Sequence, residues 1–275
     1  MTRIALLQMC ADIDPQANAS TLADAAQRAA GEGADMLFTP EMSNFLDRDR
    51  KRAAQTICHE DDDPVLSSMR DMAARHGIWI ALGSLALKRD DGSWANRSIV
   101  IDNSGSIAAR YDKIHMFDVE LDNGESWKES AAYKAGREVA IADVPLGKLG
   151  LSICYDIRFP ALFEELGQRG CDAIAIPAAF TVPTGKAHWH ILQRARAIEA
   201  TSYVISAAQC GQHPDGRSTY GHSLVVDPWG EIVLDLGDSG PELGFAEIDP
   251  KRIETVRRQL PSLANRRSIS KPAPS

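Results

Sequence analysis

Short, uninterrupted apolar runs alternate along this chain with longer stretches of helical spacing. That alternation restricts the fold more than any other feature. Residues 3–9, 35–39, 78–87, 149–154, 172–177 and 203–209 each read as a strand. Apolar runs of this kind suit strands covered on both faces. Residues 18–31, 64–76, 160–170 and 186–202 carry helical spacing, with glycines placed as stops. Strand, helix, strand order predicts sheets covered by helices. Residues 97–101, 222–226, 231–236 and 244–248 add strands, and residues 250–259 a last helix. Asp90-Asp91-Gly92 and Asp227-Pro228-Trp229-Gly230 read as turns of antiparallel edges. About eleven or twelve strands are many for one open sheet, so two mixed sheets packed together are expected.

No linker or repeat interrupts the 275 residues, so residues 1–267 are expected to form one domain. Residues 268–275 (Ser-Ile-Ser-Lys-Pro-Ala-Pro-Ser) read as a loose tail. Lys and Arg number 30 against 38 Asp and Glu, a net charge of −8. This balance argues against a nucleic-acid partner. No apolar run is long enough for a membrane helix, and the N-terminus reads as a strand rather than a signal peptide. Five scattered cysteines without a C-x-x-C pair fit neither a disulfide framework nor a structural zinc site. A reduced, cytoplasmic protein is expected.

Four residues stand out as candidates for chemistry. Cys154 ends an apolar run and precedes Tyr155-Asp156-Ile157-Arg158-Phe159-Pro160, a turn before a helix. That position lowers a thiol pKa and offers backbone N–H groups to an oxyanion. A buried structural cysteine is the competing reading. Glu41 follows an apolar strand and Pro40, at the strand end where α/β proteins bind ligands, although most such acids are simply solvated. Lys113 lies in an extended segment and Glu129 in a loop; solvated surface roles compete for both. His115, His188 and His222 leave a cysteine–histidine hydrolase open. His188 and His190 are two apart on a helix and face different ways, which argues against a metal site.

Together these residues resemble the nitrilase (carbon–nitrogen hydrolase) superfamily. Pro40-Glu41, Tyr111-Asp112-Lys113 and Cys154-Tyr155-Asp156-Ile157-Arg158-Phe159-Pro160 occur in its order and spacing. The resemblance spans almost the whole chain. It extends to Thr184-Gly185-Lys186-Ala187-His188-Trp189 and Tyr220-Gly221-His222-Ser223. Lys113-Ile114-His115-Met116-Phe117-Asp118 and Ala208-Gln209-Cys210-Gly211 resemble the amidases of the Nit branch.

The resemblance implies an α/β fold, a four-layer αββα sandwich of two mixed sheets, assembled as a homodimer or larger. It implies a thiol amidohydrolase of small ω-amides that works through a thioester, without metal or cofactor. Deaminated glutathione is the expected substrate, giving α-ketoglutarate and cysteinylglycine in a metabolite-repair role. α-Ketoglutaramate, N-carbamoyl compounds or other aliphatic amides are alternatives, as is an idle interaction scaffold on the same fold. Cys154 is the implied nucleophile and Glu41 its general base and acid. Lys113 and the Tyr155 N–H are implied to stabilise the oxyanion, and Glu129 to position the site. Phe180, Thr181 and Lys186 are the implied substrate contacts, Lys186 standing where such amidases usually carry proline. Arg158 is expected to fix the loop after Cys154, and Trp189 and Trp229 to pack. Cys10, Cys58, Cys171 and Cys210 are expected to be structural.

Overall fold

The structure, a computed structural model, describes residues 1–120, 124 and 126–268. Of the expected tail, residues 269–275 lie outside the described residues. The chain begins β1 (Thr2–Gln8), α1 (Pro15–Gly31), β2 (Met36–Phe38), α2 (Arg50–Thr56), α3 (Pro64–His76) and β3 (Trp79–Lys88). It continues through β4 (Trp94–Ile101), β5 (Ile107–Asp112), a small hairpin of β6 (Asp118–Glu120) and β7 (Ser126–Lys128), then β8 (Ile141–Val144) and β9 (Gly147–Leu151). A 3₁₀ turn, Cys154–Arg158, leads to α4 (Pro160–Gln168), β10 (Ala173–Ala175), α5 (Val182–Ala200) and β11 (Tyr203–Ser206). A second small hairpin, β12 (Cys210–Gln212) and β13 (Ser218–Tyr220), precedes β14 (Leu224–Val226), β15 (Ile232–Asp235), β16 (Glu242–Ile248) and α6 (Pro250–Gln259).

Two six-stranded sheets carry the fold, ordered β16-β1-β2-β3-β4-β5 and β15-β14-β11-β10-β9-β8. Both are mixed. In each, three adjacent strands run parallel (β1-β2-β3 and β9-β10-β11), flanked by antiparallel partners. Alternation along a strand sets the layers. Ile4, Leu6 and Phe38 share a core with Leu149, Leu151 and Ala175 of the other sheet. Ala5, Leu7 and Leu37, turned the other way, pack with Leu22 and Ala26 of α1 and Met69 and Ala73 of α3. On the far side Phe163 of α4 and Trp189 of α5 join the second sheet. The order helix, sheet, sheet, helix is the four-layer αββα sandwich.

Local chemistry explains the helix limits. Asp14, Asp63 and Asp249 cap α1, α3 and α6 through backbone N–H groups, and each helix begins at proline. Gly77 closes α3 at φ +66, a left-handed conformation that glycine adopts without strain. α5 starts at Val182, four residues before its expected start, because Pro183 opens its first turn. β9 stops at Leu151, so Cys154 lies beyond the strand rather than at its last position. Helix α2 was not expected, since it buries only Ala53 and carries no apolar period.

Candidate active site

Three strand ends converge between the sheets. Glu41 follows β2, Lys113 follows β5, and Cys154 lies just beyond β9. All three are buried, at 4%, 2% and 7% exposure. The solvated alternatives therefore do not hold for Glu41 or Lys113. Cys154 has φ +48 and Met42, next to Glu41, has φ +57. Left-handed backbone at non-glycine residues is strained and concentrates at functional sites.

Each turn is tied down. The Cys154 N–H donates to the Pro177 carbonyl at 2.9 Å. Asp156, fully buried, accepts from the Ile153 N–H at 2.8 Å, the Tyr111 hydroxyl at 2.7 Å and the His115 N–H at 3.0 Å. It also meets His115 Nδ1 at 2.7 Å. Asp156 thus fixes the turn that Arg158 was expected to fix. On the opposite side, the Thr39 hydroxyl accepts from the Gly83 N–H and the Ser84 hydroxyl from the Met42 N–H, at 3.0 and 2.9 Å.

Lys113 sits between two carboxylates. Its Nζ donates to Glu41 Oε1 at 2.9 Å and to Glu129 Oε2 at 2.9 Å. Asn96 on β4, which sequence reasoning missed, donates through Nδ2 to Glu41 at 2.9 Å and Glu129 at 3.1 Å. Two further backbone donors complete the arrangement. The Ala179 N–H reaches Glu41 Oε2 at 2.9 Å, and the Phe117 N–H reaches Glu129 Oε2 at 2.6 Å.

The electrostatics follow from this geometry. Burial disfavours a charged Glu41, but Lys113 and the hydrogen bonds outweigh it and hold the carboxyl below its usual value. Burial also opposes the Lys113 charge; Glu129 and Glu41 overcome it and raise this ammonium well above its usual range. The Cys154 thiol is pushed well up by burial and by the Glu41 charge, with Lys113 opposing. The expectation of a thiol lowered by its turn is therefore corrected: burial and a neighbouring anion win. At neutral pH the resting site holds a thiol, an ionised Glu41 and a charged Lys113. A thiol that must lose its proton faces a base that is ionised.

These groups form the floor of a cavity of about 740 Å³. Tyr155, Phe180 and Thr181 line it as expected. Tyr155 lies in the first turn of the 3₁₀ segment, where leading N–H groups lack intrahelical acceptors. Lys186 is placed elsewhere. It is exposed on α5 outside the cavity wall, because the early start of α5 puts Thr181–Thr184, not Lys186, against the cavity. Arg158 does line the cavity, with its guanidinium 5.4 Å from the Phe180 ring and 5.7 Å from the Tyr155 ring.

Among the described residues no histidine lines the cavity. His115 is held by Asp156, and His188 meets Arg158 at 3.2 Å. His190 and His222 both meet the Asp235 carboxylate, at 2.9 and 3.0 Å, and the three potential ligand atoms lie within 4.8 Å of one another. Trp189 is fully buried, whereas Trp229 is 47% exposed at a hairpin tip rather than packed.

The carbon–nitrogen hydrolase family model matches residues 3–258. A deaminated glutathione amidase from Yersinia enterocolitica is 37% identical over 274 residues, covering 98% of this chain and 95% of its own length. The Caenorhabditis elegans NitFhit crystal structure matches with a TM-score of 0.89 and 38% identity over 97% of this chain. The match spans 65% of that longer protein. An amidase variant from Nesterenkonia sp. AN1, with acrylamide added at its active-site cysteine, matches with a TM-score of 0.78 and 28% identity. It covers 94% of this chain and 98% of its own. The buried Glu41–Lys113–Cys154 cluster thus lies in a chain whose sequence and fold agree with one family over nearly their full length. The chain belongs to the carbon–nitrogen hydrolase (nitrilase) family and is a hydrolase of non-peptide carbon–nitrogen bonds.

Proposed function

We propose that the chain is a thiol amidohydrolase whose substrate is a small anionic ω-amide, deaminated glutathione in first place. The observation that carries this reading is a buried Glu41 paired to Lys113 at 2.9 Å and lining one cavity with the buried Cys154. Glu41 takes the thiol proton as sulfur attacks the amide carbon. The carbonyl oxygen becomes an oxyanion, stabilised by Lys113 Nζ and the Tyr155 N–H. Glu41 returns the proton to the leaving nitrogen, the C–N bond breaks, and a Cys154 thioester remains. Glu41 then draws a proton from water as the water oxygen attacks the thioester carbon; the C–S bond breaks, Glu41 returns that proton to the Cys154 sulfur, and the acyl group leaves as the carboxylate product. Glu129 and Asn96 hold Lys113 and Glu41 in place throughout.

The choice of substrate rests on the named relatives and on charge. Arg48, Arg50, Arg158 and Arg217 line the cavity of a protein whose net charge is −8. Local cations, rather than overall charge, set the field that a bound anion meets. The sharing of one site by both sheets supports reading residues 1–267 as one domain. Five free cysteines fit a reducing, cytoplasmic setting. No helix among the described residues is long and apolar enough to cross a membrane. Exposed apolar side chains on α5 and the β14–β15 hairpin support self-association.

The test compares kcat/KM for deaminated glutathione, α-ketoglutaramate and an N-carbamoyl amino acid, reading α-ketoglutarate for the first two and ammonia for the last. Deaminated glutathione is expected to be best, and a better rival overturns the substrate. Cys154→Ala is expected to lose at least about 10⁴-fold in kcat. Mass spectrometry is expected to find an acyl adduct on Cys154. No adduct and no turnover across an amide panel would favour the idle-scaffold reading instead.

A further inference from the structure

The cavity carries more positive charge than one amide requires. Six cations line it, Arg48, Arg50, Lys113, Lys128, Arg158 and Arg217, against Glu41, Asp47 and Glu129 among the described residues. Lys113 is already committed to both glutamates. Asp47 is committed to Arg52, which lies outside the wall. Of the four lining arginines Arg217 is paired with Asp215, so the surplus is borne by Arg48, Arg50 and Arg158 together with Lys128.

Two of these arginines converge on one ring. The guanidinium carbons of Arg48 and Arg217 lie 6.0 and 4.8 Å from the ring centroid of Trp127. Arg48 comes from the loop before α2, Trp127 from β7 and Arg217 from the turn before β13. One carboxylate ties them together. Asp215 Oδ2 accepts from the Arg48 backbone N–H at 2.9 Å and from Arg217 Nε at 2.6 Å. It meets only the main chain of Arg48, so Asp215 does not itself neutralise that guanidinium. Among the described residues Arg48 has no ion-pair partner.

A second observation points to a ligand at the same place. The indole Nε1 of Trp127 is buried with no hydrogen-bond partner. A buried donor left unsatisfied costs about 1–3 kcal/mol, so it marks a place for an acceptor. The cluster also stands apart from Arg158. Arg158 stacks on Tyr155, whose ring meets Phe117 at 5.1 Å, and Phe117 meets Trp127 at 6.4 Å. A row of three aromatic rings thus separates two cationic ends of one cavity.

We propose that Arg48, Arg217 and the Trp127 indole N–H form a subsite for a carboxylate on the leaving-amine side of the substrate. The proposal deepens the amidase reading and rests on it. With Arg158 at one end and this cluster at the other, the cavity fits an amide flanked by two anionic groups. It selects amides that release a carboxylate-bearing amine over primary amides that release ammonia. Arginine suits the task because its planar fork holds a carboxylate through two donors.

The test uses the full chain and two variants, Arg48→Gln and Trp127→Phe. The first readout is the kcat/KM ratio of deaminated glutathione to α-ketoglutaramate, which lacks the distal carboxylate. In Arg48→Gln this ratio is expected to fall at least about 10-fold, mainly through KM. Trp127→Phe is expected to lower it in the same direction. An unchanged ratio, including equal loss on both substrates, overturns the subsite. The second readout is calorimetric binding of cysteinylglycine, which needs no turnover. Binding is expected to weaken at least about 10-fold in Arg48→Gln. Equal binding, or none in either protein, overturns the proposal. If the intact chain turns over neither oxo-amide, the substrate reading fails, and the binding difference alone decides the subsite.

Discussion

Glu41, Lys113 and Cys154 show how burial turns ordinary side chains into a proton relay. Glu41 is held below its usual 4.5 and Lys113 well above its usual 10.5, although burial opposes both charges. The stabilisation from Glu41 is present above 4.5 and fades as pH falls through the lowered native value. That from Lys113 is complete below 10.5 and fades only as pH rises through its raised native value. Neither group titrates in the neutral range, so kcat/KM is expected to be flat between about pH 6 and pH 8. A rate profile in a constant-ionic-strength buffer checks this; a limb inside that window counts against Glu41 as the base. Asn96→Asp places a third carboxylate 2.9 Å from Glu41 and should raise the acid limb by about one pH unit. An unmoved limb would mean that Asn96 does not act on Glu41. The three chemical residues were legible because they sit at strand ends inside specific motifs. Asn96 was not, because one asparagine on a strand carries no sequence signature. Its role arises only when the two glutamates fold onto it.

Between elements, what matters is how the turns carrying these residues meet. A Cβ on Gly83 of β3 would stand 1.9 Å from the Thr39 carbonyl oxygen, 2.5 Å from that of Pro40 and 2.6 Å from Pro177 Cβ. Thr39 and Pro40 lead into Glu41, and Pro177 holds the Cys154 N–H. Gly83 therefore lies where the base and nucleophile turns from the two sheets approach each other. Gly83→Ala is expected to lower stability by about 3 kcal/mol and kcat/KM by about 100-fold. Thermal unfolding and kinetics on the soluble variant check both, and near-unchanged kinetics would show that the turns tolerate separation. Most elements were legible from apolar runs and caps, with α3 and α6 placed to the residue. Helix α2, the β6–β7 hairpin and the β12–β13 hairpin were not, because each is short and buries little. Those same segments carry or adjoin Arg48, Trp127 and Arg217. The cavity rim was thus the least readable part of the site, whereas its floor was the most readable. Lys186 was placed in the wall by the resemblance alone; α5 begins at Val182 and leaves that side chain exposed outside the wall.

For the whole molecule, the layers leave one face unfinished. Ile191 and Ile198 on α5 are 70% and 42% exposed, and Trp229 and Val233 of the β14–β15 hairpin are 47% and 50% exposed. The hairpin tip packs on α5, since Arg194 Nε donates to the Gly230 carbonyl at 2.7 Å. These apolar side chains therefore share one side of the second sheet, where β15 is also an edge strand. An exposed apolar edge beside an exposed apolar helix face invites a partner or aggregation. A second copy of the chain would cover both while leaving the cavity open, because none of these four residues lines it. Sedimentation velocity at micromolar concentration is expected to find a dimer or larger species. Ile191→Glu with Val233→Glu is expected to shift it to the 29.9 kDa monomer, since each substitution sets a charge against its copy or neighbour in a dry interface. An intact chain that sediments as a monomer would refute this arrangement. A charged double variant that stays assembled would move the interface to another face.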